Sequence, residues 1–128
     1  MNSRPHSERP TTIGNWAERR ARAYLKRQGL KTVEHNYACK LGEIDVIARD
    51  GSTLVFVEIR FRRSSTHGTA AASVTKTKQQ RIVKTASHFL LTHPEWSSFR
   101  TRFDVVAVTR RNYRIQLEWI RNAFDASR

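Results

Sequence analysis

Apolar and polar positions along this chain follow two rhythms, and the change from one to the other marks its elements. In "GNWAERRARAYLKRQGL", residues 14–30, Ala17, Ala21, Tyr24 and Leu25 recur at helical spacing with Arg and Lys on the other side, which predicts a helix over 15–28. Asn15 is placed to cap its start, and Gly29 followed by Leu30 to close its end. "KTVEHNYAC" reads as a short strand. In "GEIDVIARDGSTLVFVEIRFR", residues 42–62, two apolar runs flank Asp50-Gly51, a strong short-range hairpin signal. On the second run Val55, Val57, Ile59 and Phe61 take one face and Leu54 and Phe56 the other. A strand apolar on both faces belongs in the middle of a sheet covered on both sides.

"RRSSTHGTAAAS" follows, polar and small, and reads as a surface loop. From Val74 to about Leu91, Ile82, Val83, Ala86, Phe89 and Leu90 share one helical stripe, and His93-Pro94 ends it. "RFDVVAVT" alternates as a strand, and Asn112 turns the chain into a last one, "YRIQLEWI". The order α β β β α β β predicts an α/β fold: a mixed sheet of about five strands flanked by two main helices. The expected organisation is a basic tail over 1–12, a single domain over 13–122 and a short C-terminal tail over 123–128.

Composition adds a bias of charge. Lys and Arg number 24 against 11 Asp and Glu, a formal charge of +13, and 18 of the basic residues are Arg, suited to forked contacts with phosphate. A domain this basic points to nucleic acid, with a ribosomal or membrane-surface role as the next class. One Cys cannot form an intramolecular disulfide, no apolar run approaches membrane-spanning length, and "MNSRPHSERPTT" has no apolar core to serve as a signal; a cytoplasmic location is expected.

Against that background the acids of the hairpin stand out. If Asp50-Gly51 is the whole loop, Arg49 pairs with Ser52, Glu43 faces Glu58 and Asp45 is its diagonal neighbour. A four-residue loop sets Asp45 straight across from Glu58 instead. Either register brings both carboxylates to one face; a three-residue loop without a bulge would separate them. Buried acids are costly unless paired or metal-bound. Arg60, on the same face as Glu58, offers a structural ion pair. The cluster of Glu43, Asp45 and Glu58 is better explained by a hard divalent cation, Mg²⁺ or in its place Mn²⁺.

Asp45, twelve residues, Glu58, one residue, Arg60: this spacing resembles the D-x(n)-(D/E)-x-K signature of the PD-(D/E)xK nuclease superfamily, especially its Holliday-junction-resolvase and restriction-endonuclease-like branch. The chain is more closely similar to the YraN-like family of small bacterial proteins. "GNWAERRARAYLKRQG", "GEIDVIARDGSTLVFVEIR", "KQQRI" and "RFDVVAV" follow that family's order over about residues 14–109. The resemblance implies a restriction-endonuclease-like core. It implies Asp45 and Glu58 as metal ligands with the backbone carbonyl of Ile59, Glu18 as an accessory acid, and Gln79 as a polar residue beside the site. Arg60 stands where the superfamily has Lys. A guanidinium does not give up its proton, so Arg60 would stabilise developing charge while water activation fell to the metal. A plain role for Gln79, capping the edge of the core, stays open.

Arg62 and Arg63 in the basic loop, with Lys76 and Lys78 at the start of the second helix, are the expected phosphate contacts. Binding through phosphates rather than base reading follows. Asp104, in an apolar strand, is expected to meet Arg102 or a backbone donor rather than a metal. The functional expectation is a Mg²⁺-dependent nuclease acting on DNA rather than RNA, selective for branched forms and, as its resolvase-like relatives do, working as a homodimer. The competing readings are a nucleic-acid-binding accessory protein with little or no catalysis, and a ribosome-associated module.

Overall fold

Alanine at every fourth place lets the first helix lie close on a sheet, and in the computed structural model, which describes residues 12–63 and 67–126, it does so. The helix, α1 (Thr12–Arg27), buries Ala17, Ala21 and Leu25. Its end is a Schellman cap: Leu30 N–H reaches the Leu25 carbonyl at 3.1 Å and Gly29 N–H the Lys26 carbonyl at 3.0 Å. Gly29 has φ 100°, a conformation that costs glycine little, and Leu30 is buried. The tail assigned to residues 1–12 lies, except for Thr12, outside the described residues.

Five strands follow the expected order: β1 (Lys31–Cys39), β2 (Gly42–Asp50), β3 (Thr53–Arg63), β4 (Arg100–Arg111) and β5 (Arg114–Phe124), with α2 (Lys76–Thr92) between β3 and β4. The sheet runs β1-β2-β3-β4-β5, antiparallel except for the parallel β3–β4 pair. A parallel pair needs a crossover, and α2 supplies it. α1 packs with Val46, Ala48, Val55, Val57, Val106 and Val108 on one face. α2 packs Ile82, Ala86 and Phe89 with Ile47, Leu54, Phe56 and Val105 on the other. β3 is therefore central and covered on both sides, as its apolar faces predicted.

Three local departures matter. The hairpin turn is Gly51-Ser52, not Asp50-Gly51: Asp50 pairs with Thr53, and Gly51 takes φ 63° at the first loop position. Glycine at that position is what a type II′ turn requires. α2 starts at Lys76 rather than Val74, because the Thr75 hydroxyl accepts the Lys78 N–H at 3.1 Å and sets the N-cap there. In β4 the register with β5 slips between Phe103 and Val105. There Asp104 accepts from Asn122 N–H at 2.8 Å, Trp119 Nε1 at 2.9 Å and Arg102 Nε at 2.9 Å. Asp104 is fully buried and fully satisfied, and its partners include Arg102 as expected.

Candidate active site

The β2–β3 register continues to Val46 opposite Val57, so the next step would set Asp45 opposite Glu58. There the ladder stops. The backbone amide of Ile59 donates instead to Asp45 Oδ2 at 2.8 Å, so the carboxylate occupies the gap where the two strands part. Within a strand the N–H and C=O of one residue leave on the same edge, which turns the Ile59 carbonyl toward this gap as well. Asp45 and Glu58 meet there in side-chain hydrogen-bonding contact. The opposed arrangement, one of the two readable from sequence, is the one adopted.

Glu58 is buried, and two cations answer it: Lys78 Nζ at 3.6 Å and Arg60 Nη1 at 3.7 Å, both from Oε2. Burial pushes the Glu58 pKa up, and Lys78 and then Arg60 hold it back. Asp45 is pushed well above the usual carboxylate range, first by burial and then by the charge of Glu58, against the pull of the Ile59 N–H. Glu18 reaches the same gap from α1. Burial and then Asp45 raise its pKa, while a hydrogen bond from Asn36 lowers it. Asn36 has φ 54° and sits in a break of the β1–β2 ladder, which frees its amide to turn toward α1.

Of these groups Asp45, Glu58 and Lys78 border an open cavity of about 450 Å³, lined also by Cys39, Gly42, Glu43 and Arg81 among others. Gly42 lets α2 approach its wall: a Cβ there would stand 3.0 Å from Thr85 Oγ1, and its φ of 151° disfavours any other residue. Among the described residues no three His, Cys, Asp or Glu side chains form a ready metal group. What the cavity offers a cation is two touching carboxyl groups, both raised in pKa by burial and Asp45 by the charge of Glu58 as well, with a carbonyl edge beside them. That donor set fits Mg²⁺, which takes oxygen ligands and usually one or two protein carboxylates, filling its remaining positions with water and phosphate.

The other predicted residues divide. Lys78 joins the acids. Arg60 does too, but its guanidinium also donates to the Ser73 carbonyl at 3.3 Å, tying β3 to the turn before α2. Gln79 stands apart: its amide donates to the Val74 carbonyl at 3.0 Å, and it borders a separate groove with Gln80, Val83, Lys84 and Asp125. Arg62 Nη2 donates to the His67 and Gly68 carbonyls at 3.2 and 2.9 Å, bracing the loop that follows β3. Arg63 and Lys76 are exposed. Lys40 and Arg81 at the cavity rim went unnoticed in the sequence. Arg81 lies three residues after Lys78, a spacing that puts both on neighbouring surface.

A mixed five-stranded sheet between two helices, with an acid pair and a lysine at a break in its central hairpin, defines a small α/β domain with a polar, acid-lined cavity. The chain belongs to the uncharacterised protein family UPF0102, whose profile matches residues 17–108. It is 50% identical over 111 residues to a UPF0102 protein of Saccharophagus degradans, covering 87% of this chain and 91% of that one. With a UPF0102 protein of Nitrosomonas europaea it shares 48% over 114 residues, covering 89% and 94%. With one of Cupriavidus metallidurans it shares 52% over 126 residues, covering 98% and 89%. Among the described residues no helix is long and apolar enough to cross a membrane.

Proposed function

We propose that this protein is a Mg²⁺-dependent nuclease that hydrolyses phosphodiester bonds in DNA, with branched or flapped forms as preferred substrates. The observation that carries the reading is the contact between Asp45 and Glu58 in an open cavity, with Lys78 3.6 Å from Glu58, in a chain of formal charge +13. Asp45, Glu58 and the Ile59 carbonyl are the residues that would hold the ion. When bound, it supplies Lewis-acid stabilisation of the phosphoryl group and acidifies water. Glu18 adds a third carboxylate at the gap, in reach through water.

The chain's own cations divide the remaining work. Lys78, capable of three rotatable hydrogen bonds and of losing a proton, orients water or a phosphate oxygen over Glu58. It takes the part that Arg60, in the lysine position of the nuclease signature, cannot. Arg60 remains charged and stabilises the negative charge that builds on the phosphoryl oxygens. The assay is cleavage of flapped and four-way-junction DNA by purified protein with Mg²⁺ or Mn²⁺. Asp45→Ala and Glu58→Ala should each abolish it, as should chelator. Cleavage unchanged in both variants would overturn the assignment.

A second reading has its own observation. Arg60 and Lys78 already neutralise Glu58 without any metal, which suits a nucleic-acid-binding accessory protein that does not cleave. It predicts salt-sensitive DNA binding and no metal-dependent turnover.

A further inference from the structure

β4 and β5 meet in a two-residue turn, Asn112-Tyr113, closed by the Arg111–Arg114 pair. Asn112 takes φ 57°, a left-handed conformation that Asn tolerates better than most residues, so the turn itself is well served. Tyr113 is not explained that way. It is 101% exposed, packs against nothing and lends the turn no hydrogen bond. Around it Arg110, Arg111 and Arg114 are all exposed, and among the described residues none of them pairs with a carboxylate. Arg111 and Arg114, paired across the turn, share one face of the sheet, and Arg110, opposite Ile115, stands on the other.

Their place in the sheet gives them a direction. β3 and β4 run parallel, with Arg62 beside Thr109 and Arg63 beside Arg110. The hairpin tip therefore lies at the end of the sheet to which β3 leads from Glu58, past Arg60, Arg62 and Arg63. At about 3.3 Å per residue the tip stands roughly 20–25 Å from the acid pair. That is the run of about six or seven nucleotides of one strand. On the face of Glu58 this line carries Arg60, Arg62, Arg111 and Arg114 and ends at an exposed aromatic, while Arg63 and Arg110 stand on the other face.

We infer that the β4–β5 hairpin tip is a second nucleic-acid contact, which holds backbone phosphates on Arg111 and Arg114 and stacks an unpaired base of single-stranded DNA on Tyr113. Guanidinium forks match phosphate oxygens, and aromatic rings bind any unstacked base by its face. A fully paired duplex offers no free base face, so Tyr113 discriminates for DNA with a single-stranded segment. The inference rests on the reading that the acid cavity acts on DNA, yet it concerns binding alone.

Its test is fluorescence anisotropy on the full chain in the presence of chelator, where hydrolysis plays no part. The probes are a labelled 20-nucleotide single strand and a blunt duplex of the same sequence. Tyr113→Ala should weaken single-strand binding by about tenfold and leave duplex binding within twofold, with Tyr113→Phe restoring it. Replacing Arg111 and Arg114 by Ala should lower the slope of log affinity against log salt by about 1.4 for the single strand. Tyr113 touches no other side chain, so its variants keep the fold, and a thermal melt confirms that. Wild-type affinity in both the Tyr113→Ala and the double arginine variants would overturn the inference. If these variants lose binding while the wild type never cleaves with Mg²⁺, the hairpin assignment stands and the nuclease reading falls. If the wild type cleaves and the variants bind DNA normally, the reverse holds.

Discussion

Asp45 and Glu58 are two acids that a fold would place together only at a cost. Both hold their protons more tightly in the folded chain than in the unfolded one, chiefly through burial and, at Asp45, also through the neighbouring charge. The native state without metal therefore binds more protons, and this pair's contribution is full below the ordinary carboxylate range and lost as pH rises through the raised folded values. Asp45→Asn keeps an acceptor for the Ile59 N–H and removes one charge. In chelator it should stabilise the protein by roughly 0.5–1 kcal/mol at pH 7, fading to nothing near pH 4. Calorimetric melts of both proteins across that range measure it; equal destabilisation at both ends would contradict the raised values.

The two cations beside Glu58 make a second comparison at this scale. Lys78→Met should lower cleavage by about 10²-fold, the usual loss for a positioned proton-transfer group, whereas Arg60→Lys should retain or raise it. Steady-state rates on a flapped substrate decide this. A loss for Arg60→Lys equal to that for Lys78→Met would show that the guanidinium fork, not the ammonium, does the chemistry.

Elements bring these residues together, and not every placement was readable. The hairpin, its central position and the face shared by its acids follow from period-two alternation and a turn signal, and they were legible. The exact turn was not: Asp-Gly and Gly-Ser are both acceptable loops, and only the pairing of Asp50 with Thr53 decides. The α2 residue that reaches the acids was misjudged for a physical reason. Taking Ile82 and Val83 as the centre of the stripe leads back to Gln79, but the buried positions are Ile82, Thr85, Ala86 and Phe89. That stripe, continued one turn toward the N-terminus, arrives at Lys78. The gap between β2 and β3 at Asp45 and the slipped register at Asp104 depend on contacts between distant strands, which no local pattern carries. At the latter, Asp104→Ala should destabilise by about 3 kcal/mol, since it strands the Asn122 and Trp119 donors and leaves the half-buried Arg102 with Asp50 alone. Denaturant melts test it, and a loss under 1 kcal/mol would mean the network is dispensable.

Across the whole molecule, the two helices cover opposite faces of one sheet, and at the break between β2 and β3 each brings a charged group to the acid pair: Glu18 from α1 beside Asp45 and Lys78 from α2 beside Glu58. The cavity is acidic at its floor and cationic at its rim, while the chain as a whole carries +13. Under the proposed function such a distribution would draw a phosphate backbone to the surface and reserve the floor for a counter-ion. DNA affinity should accordingly fall by about 10³-fold between 50 and 200 mM salt, as phosphate-dominated binding does. A salt-independent affinity would exclude backbone contact as its source.

The proposed function requires the facing carboxyls to hold a divalent cation, and calorimetric titration of Mg²⁺, repeated with Mn²⁺, into the full chain is its test. It is run alone and with a short DNA oligonucleotide that can supply phosphate oxygens. The account predicts one binding event in wild type, at the latest with DNA present, and its loss in Asp45→Ala. Silence under both conditions, or heats that Asp45→Ala leaves unchanged, would contradict it.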